Sequence, residues 1–240
     1  MDASEAGPIG AGAPEDDAGC VLVLDAAGAG CLVALVRDGR VVAQRRLDES
    51  RGQAAALPAM AADVLAEAGV EPAGLDLIGA TVGPGGFTGL RAALSFAHGV
   101  ALASGVPLVG VTIGEALVEE VRVPPGRALW VAQSSRRGHV YVERDGAVAS
   151  FALDAPPPAP GAVALAGEAA PEAVAALLAR GVDAVVLDAR RPGAAGLARA
   201  VLRRHRAEAR GEVPPRPVQP LYAEAPQARP AGPALRPAPA

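Results

Sequence analysis

The strongest local signal in this 240-residue chain is Gly83-Pro84-Gly85-Gly86-Phe87-Thr88-Gly89-Leu90-Arg91. It follows the apolar run LDLIGATV and opens into a helical segment, so bare backbone amides would sit where an anion can bind, with Arg91 one turn in. The same glycines also solve a steric problem by letting a strand enter a closely packed helix, and both readings stand. Asp25 ends the first apolar run above the small residues Ala26, Ala27 and Gly28, which makes it a candidate for phosphate or nucleotide contact. A lone Asp capping a turn is the plainer reading. His98, His139 and His205 are scattered, and no pair sits at the spacing that puts two imidazoles on one helical face, so no metal site is expected. Ser134 and Ser135 lie outside any nucleophile elbow, and no catalytic residue is expected. Arg199, Arg203, Arg206 and Arg210 recur at helical spacing as one basic stripe, either a solvated face or an RNA phosphate contact.

Composition narrows the chemistry further. All 22 basic residues are arginine, and the chain has neither Lys nor Asn. Schiff-base lysine chemistry, a lysine-bearing phosphate loop and N-glycosylation are therefore excluded. With 51% hydrophobic residues the chain can bury a substantial core, as one large domain or two small ones. Cys20 and Cys31 lie in apolar runs and read as buried structural thiols. The net charge of −4 is uneven: residues 1–120 carry 6 Arg against 16 acids, residues 121–240 carry 16 Arg against 10. No apolar stretch approaches the ~18 residues of a spanning helix, and the acidic, glycine-rich start has no secretory layout. A cytoplasmic protein with no membrane partner is expected.

The elements that must position these residues are legible from periodicity. Residues 1–18 and 225–240 are rich in Pro, Ala and Gly and are expected to be disordered. Strands are predicted over 21–25, 31–36 and 41–47, with a turn at Asp38-Gly39, then a helix over 53–68 that Gly69 ends. Besides its core positions Leu57, Met60, Val64 and Leu65, this helix carries a stripe of Ala55, Ala59, Ala62 and Ala66. A buried strand over 75–82, a helix over 87–104 and a strand over 108–111 make a crossover unit of parallel sheet. Along that second helix Gly89, Ala93, Ala97 and Ala101 form a ridge with almost no side chain. Both small-residue stripes are read as surplus apolar surface for a partner, because a soluble monomer would leave them wet.

Strand and helix alternation returns after residue 112 with no evident sequence repeat. The domains are expected at 19–112, with the interface helices, and at 113–224, smaller, its last helix packing back on the first. The class is α/β, with a well-formed first domain and a reduced second one.

The string GPGGFTGLR, its helix and the following Pro107-Leu108-Val109-Gly110-Val111 resemble the bacterial TsaB (YeaZ) family. The likeness extends to the Asp25 strand, the Asp38-Gly39 hairpin, Leu57-Pro58, Arg136-Arg137-Gly138, Val140-Tyr141 and Pro220-Leu221-Tyr222. Gly86 stands where the family usually has Ser. Ser134 and His139 replace two acids, and Arg51-Gly52-Gln53 replaces His-Ser-Glu at the first helix.

The resemblance implies an actin-like, Hsp70-like (ASKHA) fold with a degenerate catalytic site. It further implies a non-catalytic subunit of the complex that adds threonylcarbamoyl to adenosine 37 of tRNAs reading A-starting codons. Its partners would be a TsaD-like catalytic subunit, a TsaE-like ATPase, tRNA through the complex, and a second copy of itself when alone. ATP and metal would belong to the partner subunits, with no cofactor bound here. An active actin-like ATPase or sugar kinase is the alternative.

Overall fold

The computed structural model describes residues 19–49, 51–135 and 138–223. The two expected disordered tails and the Arg136-Arg137 pair lie outside the described residues. The described residues form two five-stranded sheets. In the first lobe β1 (Cys20–Asp25), β2 (Cys31–Arg37) and β3 (Arg40–Leu47) form an antiparallel meander. Helix α1 (Gln53–Ala68) leads to β4 (Leu77–Gly83), and α2 (Phe87–Ser104) to β5 (Leu108–Thr112), in the order β3-β2-β1-β4-β5. β4 and β5 extend the sheet in parallel. Helix α3 (Ile113–Val118) enters the second lobe, opened by a Thr112–Glu115 capping box.

The second lobe repeats this topology. β6 (Ala128–Ser134), β7 (His139–Arg144) and β8 (Ala147–Ala152) form an antiparallel meander. β9 (Val163–Ala166), α4 (Ala170–Leu178), β10 (Ala184–Val186) and α5 (Ala194–Ala209) follow, giving the order β10-β9-β6-β7-β8. Each lobe is thus a three-strand meander extended by two parallel strands from its first strand. The second lobe is the reduced copy, because a proline-rich connection including Pro156, Pro157 and Pro158 replaces the helix that α1 supplies in the first.

Alternation along the strands of the first sheet supplies two cores. Leu22, Leu24, Val33, Leu35, Ile78 and Val82 face α1 and α2, whereas Val21, Val23, Leu32, Ala34, Leu77 and Val111 face α5. Helix α5 therefore closes the far face of the first sheet with Leu197, Ala198 and Val201. Gly79 is required at that contact, since a Cβ there would overlap Val201. Across the second sheet Trp130, Val140, Val142 and Leu165 pack against Ala173, Val174 and Leu177 of α4. Both cysteines are free and buried. No helix among the described residues is long and apolar enough to cross a membrane.

Candidate functional site

The glycine loop sits against the turn between β1 and β2, and its contacts show what the glycines do in packing. Gly86 N–H donates to the Ala27 carbonyl at 2.7 Å, so the amide that opens α2 is already used. A Cβ at Gly85 would overlap that same carbonyl oxygen, and one at Gly89 would overlap Gln53 Oε1 and approach Ala26 O to 2.7 Å. The glycines bring backbone onto backbone, as the packing reading of the loop expects. Arg91 is also committed. Its guanidinium lies 3.7 Å over the Phe87 ring, and its Nε–H donates to Tyr222 Oη at 2.9 Å. The segment carrying Tyr222 is held in place by Leu221 N–H donating to Val82 O at 2.8 Å and by His98 Nε2 at 2.7 Å from Val218 O.

Asp25 is likewise corrected as a ligand contact. Its side chain turns inward, 3% exposed, where Oδ1 accepts from Thr81 Oγ1 at 2.6 Å and from Ala27 N–H at 3.1 Å. Burial pushes its carboxyl up from the ordinary value of 3.8, with the two hydrogen bonds opposing. The β1–β2 turn is held from two further directions that the sequence does not signal. Gln53 donates its amide to Gly28 O and Gly30 O at 3.1 and 3.0 Å. Glu168, at the end of β9 in the other lobe, accepts the Ala29 N–H on both carboxylate oxygens at 3.0 and 3.4 Å.

The basic stripe of α5 is engaged within the chain. Arg199 and Arg203 reach Glu119 at 3.6 and 2.7 Å, Arg210 pairs with Glu212 at 2.6 Å, and Arg206 is not free either. The side chains of Arg203 and Arg210 nonetheless stay 54% and 60% exposed, and ion pairs this exposed are weak. Among the described residues no group of three His, Cys, Asp or Glu side chains converges on a metal position.

The two helix stripes part company. Ala55, Ala59, Ala62 and Ala66 of α1 are exposed. On α2 the ridge assigned to a partner is instead core: Gly89, Ala93 and Ala97 are buried, and Ala101 is packed against the same cluster. The correction has a simple cause. Helix α2 carries alanine, glycine or serine on both its sides, so periodicity could not show which small stripe met the sheet. The outward stripe is Thr88, Ser95, Gly99 and Ala103, with half-buried Ala92 at its edge and Leu102 at 87% exposure beside it. α1 and α2 pack together on one face of the first sheet, and neither outward stripe carries a charged residue. The acids of α1, Asp63 and Glu67, turn to Arg45 of β3 at 3.9 and 2.7 Å.

Two lobes of the same strand order, the second reduced, with a carboxylate at the end of the first strand, define an actin-like α/β protein. The family model described as TsaD, tRNA N6-adenosine threonylcarbamoyltransferase, matches residues 48–163. The tRNA threonylcarbamoyladenosine biosynthesis protein TsaB of Escherichia coli is 31% identical over 122 residues, covering 50% of this chain and about half, 52%, of that relative. An uncharacterised protein of Mycobacterium bovis is 32% identical over 228 residues, covering 88% of this chain and 94% of its own length. The solved structure of YeaZ from Pseudomonas aeruginosa superposes with a TM-score of 0.65 at 27% identity, over 85% of this chain and 99% of that one. The chain belongs to the TsaB (YeaZ) family.

Proposed function

We propose that this chain is a non-catalytic subunit of the machinery that adds a threonylcarbamoyl group to adenosine 37 of tRNA, and that it acts by binding a TsaD-like catalytic subunit. The observation that carries this reading is the paired outward face of α1 and α2. Ala55, Ala59, Ala62 and Ala66 stand beside Thr88, Ser95, Gly99 and Ala103 with no charge in either stripe. Small side chains allow two further helices to approach closely, and an uncharged patch of this extent marks an interaction surface. A paralogous subunit offers equivalent helices; a second copy of this chain would use the same face in its absence. ATP and metal then belong to the partners, among them a TsaE-like ATPase.

The state of the β1–β2 turn supports the non-catalytic half of the reading. Asp25 is spent on Thr81 and Ala27, and the glycine loop closes onto Ala27 O. These contacts disfavour the alternative of an active ATPase or sugar kinase. Mixing the purified chain with a TsaD-like subunit, a TsaE-like ATPase, threonylcarbamoyl adenylate and tRNA tests the reading. Modified adenosine should appear only when this chain is present, and equal modification without it overturns the proposal.

A further inference from the structure

An edge strand leaves a sheet open to another chain, because its outer N–H and C=O groups have no ladder partner. Among the described residues the two sheets end on β3, β5, β10 and β8, and the first three are shielded. β3 carries Arg40, Arg45 and Arg46 and sits beside a register shift at Leu35–Val36. β5 meets the C-terminal segment, where Arg216 Nη1–H donates to Gly110 O at 3.3 Å, and β10 is only three residues long. β8 differs. Ala147-Val148-Ala149-Ser150-Phe151-Ala152 has no charge, no proline and no register shift against β7.

The direction of its backbone groups follows from the hairpin that makes it. β7 turns into β8 through Asp145 and Gly146, at φ 50° and 74°, as a two-residue turn with both central residues left-handed. The Arg144–Ala147 pair closes that turn, so alternation aims the N–H and C=O of Ala147, Ala149 and Phe151 at β7 and those of Val148, Ser150 and Ala152 outward. Two bonds agree with this phase: Leu153 N–H donates inward to Gly138 O at 2.9 Å, whereas Ala152 O takes the Ala155 N–H at 3.0 Å.

We infer that β8 is a self-pairing edge, at which two copies of this chain join antiparallel about a two-fold axis at Ser150 and merge their second sheets into one. An axis normal to the sheet sets Ser150 opposite Ser150 of the second copy and Val148 opposite its Ala152, so outward groups meet outward groups. Ser150 N–H then donates to Ser150 O and Ala152 N–H to Val148 O across the axis, using no carbonyl already taken. Ala149 stands opposite Phe151 of the second copy, and no charged side chain enters the seam. An identical strand is the occupant that brings no charge to an uncharged edge and, by symmetry, leaves neither edge open. A seam six residues long is smaller than the ~1,200 Å² of a standard interface, so pairing is concentration-dependent. It uses no residue of the α1 and α2 face.

The test is sedimentation equilibrium from about 10 µM to 1 mM on Ala59→Glu/Gly99→Glu, in which the helical face is closed to self-association, with and without Ser150→Pro. Proline is tolerated on an edge strand where its missing N–H faced solvent, so the fold is kept while the central donor is lost. Without the proline the mass should rise with concentration and level off at two chains; with it the dissociation constant should weaken at least about tenfold. Amide exchange at both ends of the range supplies a second readout should the proline variant fail to fold: Ser150 and Ala152 should slow as concentration rises. A monomer throughout, a mass climbing past two chains, equal association with Ser150→Pro, or unchanged exchange at Ser150 and Ala152 overturns the inference.

Discussion

At Gly85 an added methyl would meet the Ala27 carbonyl oxygen, whereas one at Gly86 would come no closer than 3.7 Å to it. Gly85→Ala should therefore cost about 2–3 kcal/mol in denaturant unfolding, as overpacking against rigid backbone does. Gly86→Ser, which restores the family's usual residue at the N-cap of α2, should instead gain a few tenths of a kcal/mol. Asp25 makes a pH-dependent case. Its folded pKa lies above the ordinary 3.8, so the folded state holds the proton more tightly, and Asp25's contribution to stability declines as pH rises through that interval. Because both hydrogen bonds end on Oδ1, Asp25→Asn can keep them without the charge. The variant should be at least as stable as wild type at pH 7, with the difference closing as pH falls toward 3.8; thermal melts across pH check it. At this scale the sequence showed which residues were unusual but not their partners. Thr81, Gln53 and Glu168 approach the turn from 56, 23 to 25 and 139 positions away, and no local spacing encodes that.

Element boundaries followed the periodicity closely, with α1 and α2 beginning and ending where Gly69, Gly105 and the apolar spacing put them. What periodicity could not settle was orientation. In α1 the contrast between Leu57, Met60 and Val64 and the alanine stripe is large enough to fix the buried side. In α2 alanine, glycine and serine occupy both sides, and the ridge that looked ready for a partner is the one meeting the sheet. The consequence is measurable. Ala97→Glu buries a charge in the core and should unfold the chain, costing upwards of about 4 kcal/mol, while Ala59→Glu on the exposed stripe should stay within about 0.5 kcal/mol of wild type. Equal stability losses in urea unfolding would contradict this assignment of faces.

On the scale of the whole molecule, the repeated strand order was invisible in the sequence because the two lobes share topology without shared residues, and the second lacks one helix. Tertiary contacts then tie the lobes together, as Thr112 Oγ1 donates to the buried Glu143 at 2.5 Å and Gly114 N–H to the same carboxylate at 2.9 Å, while Arg216 fixes the C-terminal segment on Glu115 through both oxygens. Such a body is a firm platform for one bare helical face, and the proposed role stands or falls on that face meeting a TsaD-like subunit. The most direct measurement is calorimetric titration of that subunit into wild-type chain and into Ala59→Glu/Gly99→Glu, with melting curves recorded for both. Saturable binding to wild type, lost in a variant that melts as wild type does, is the predicted result; undiminished binding to the variant would contradict it.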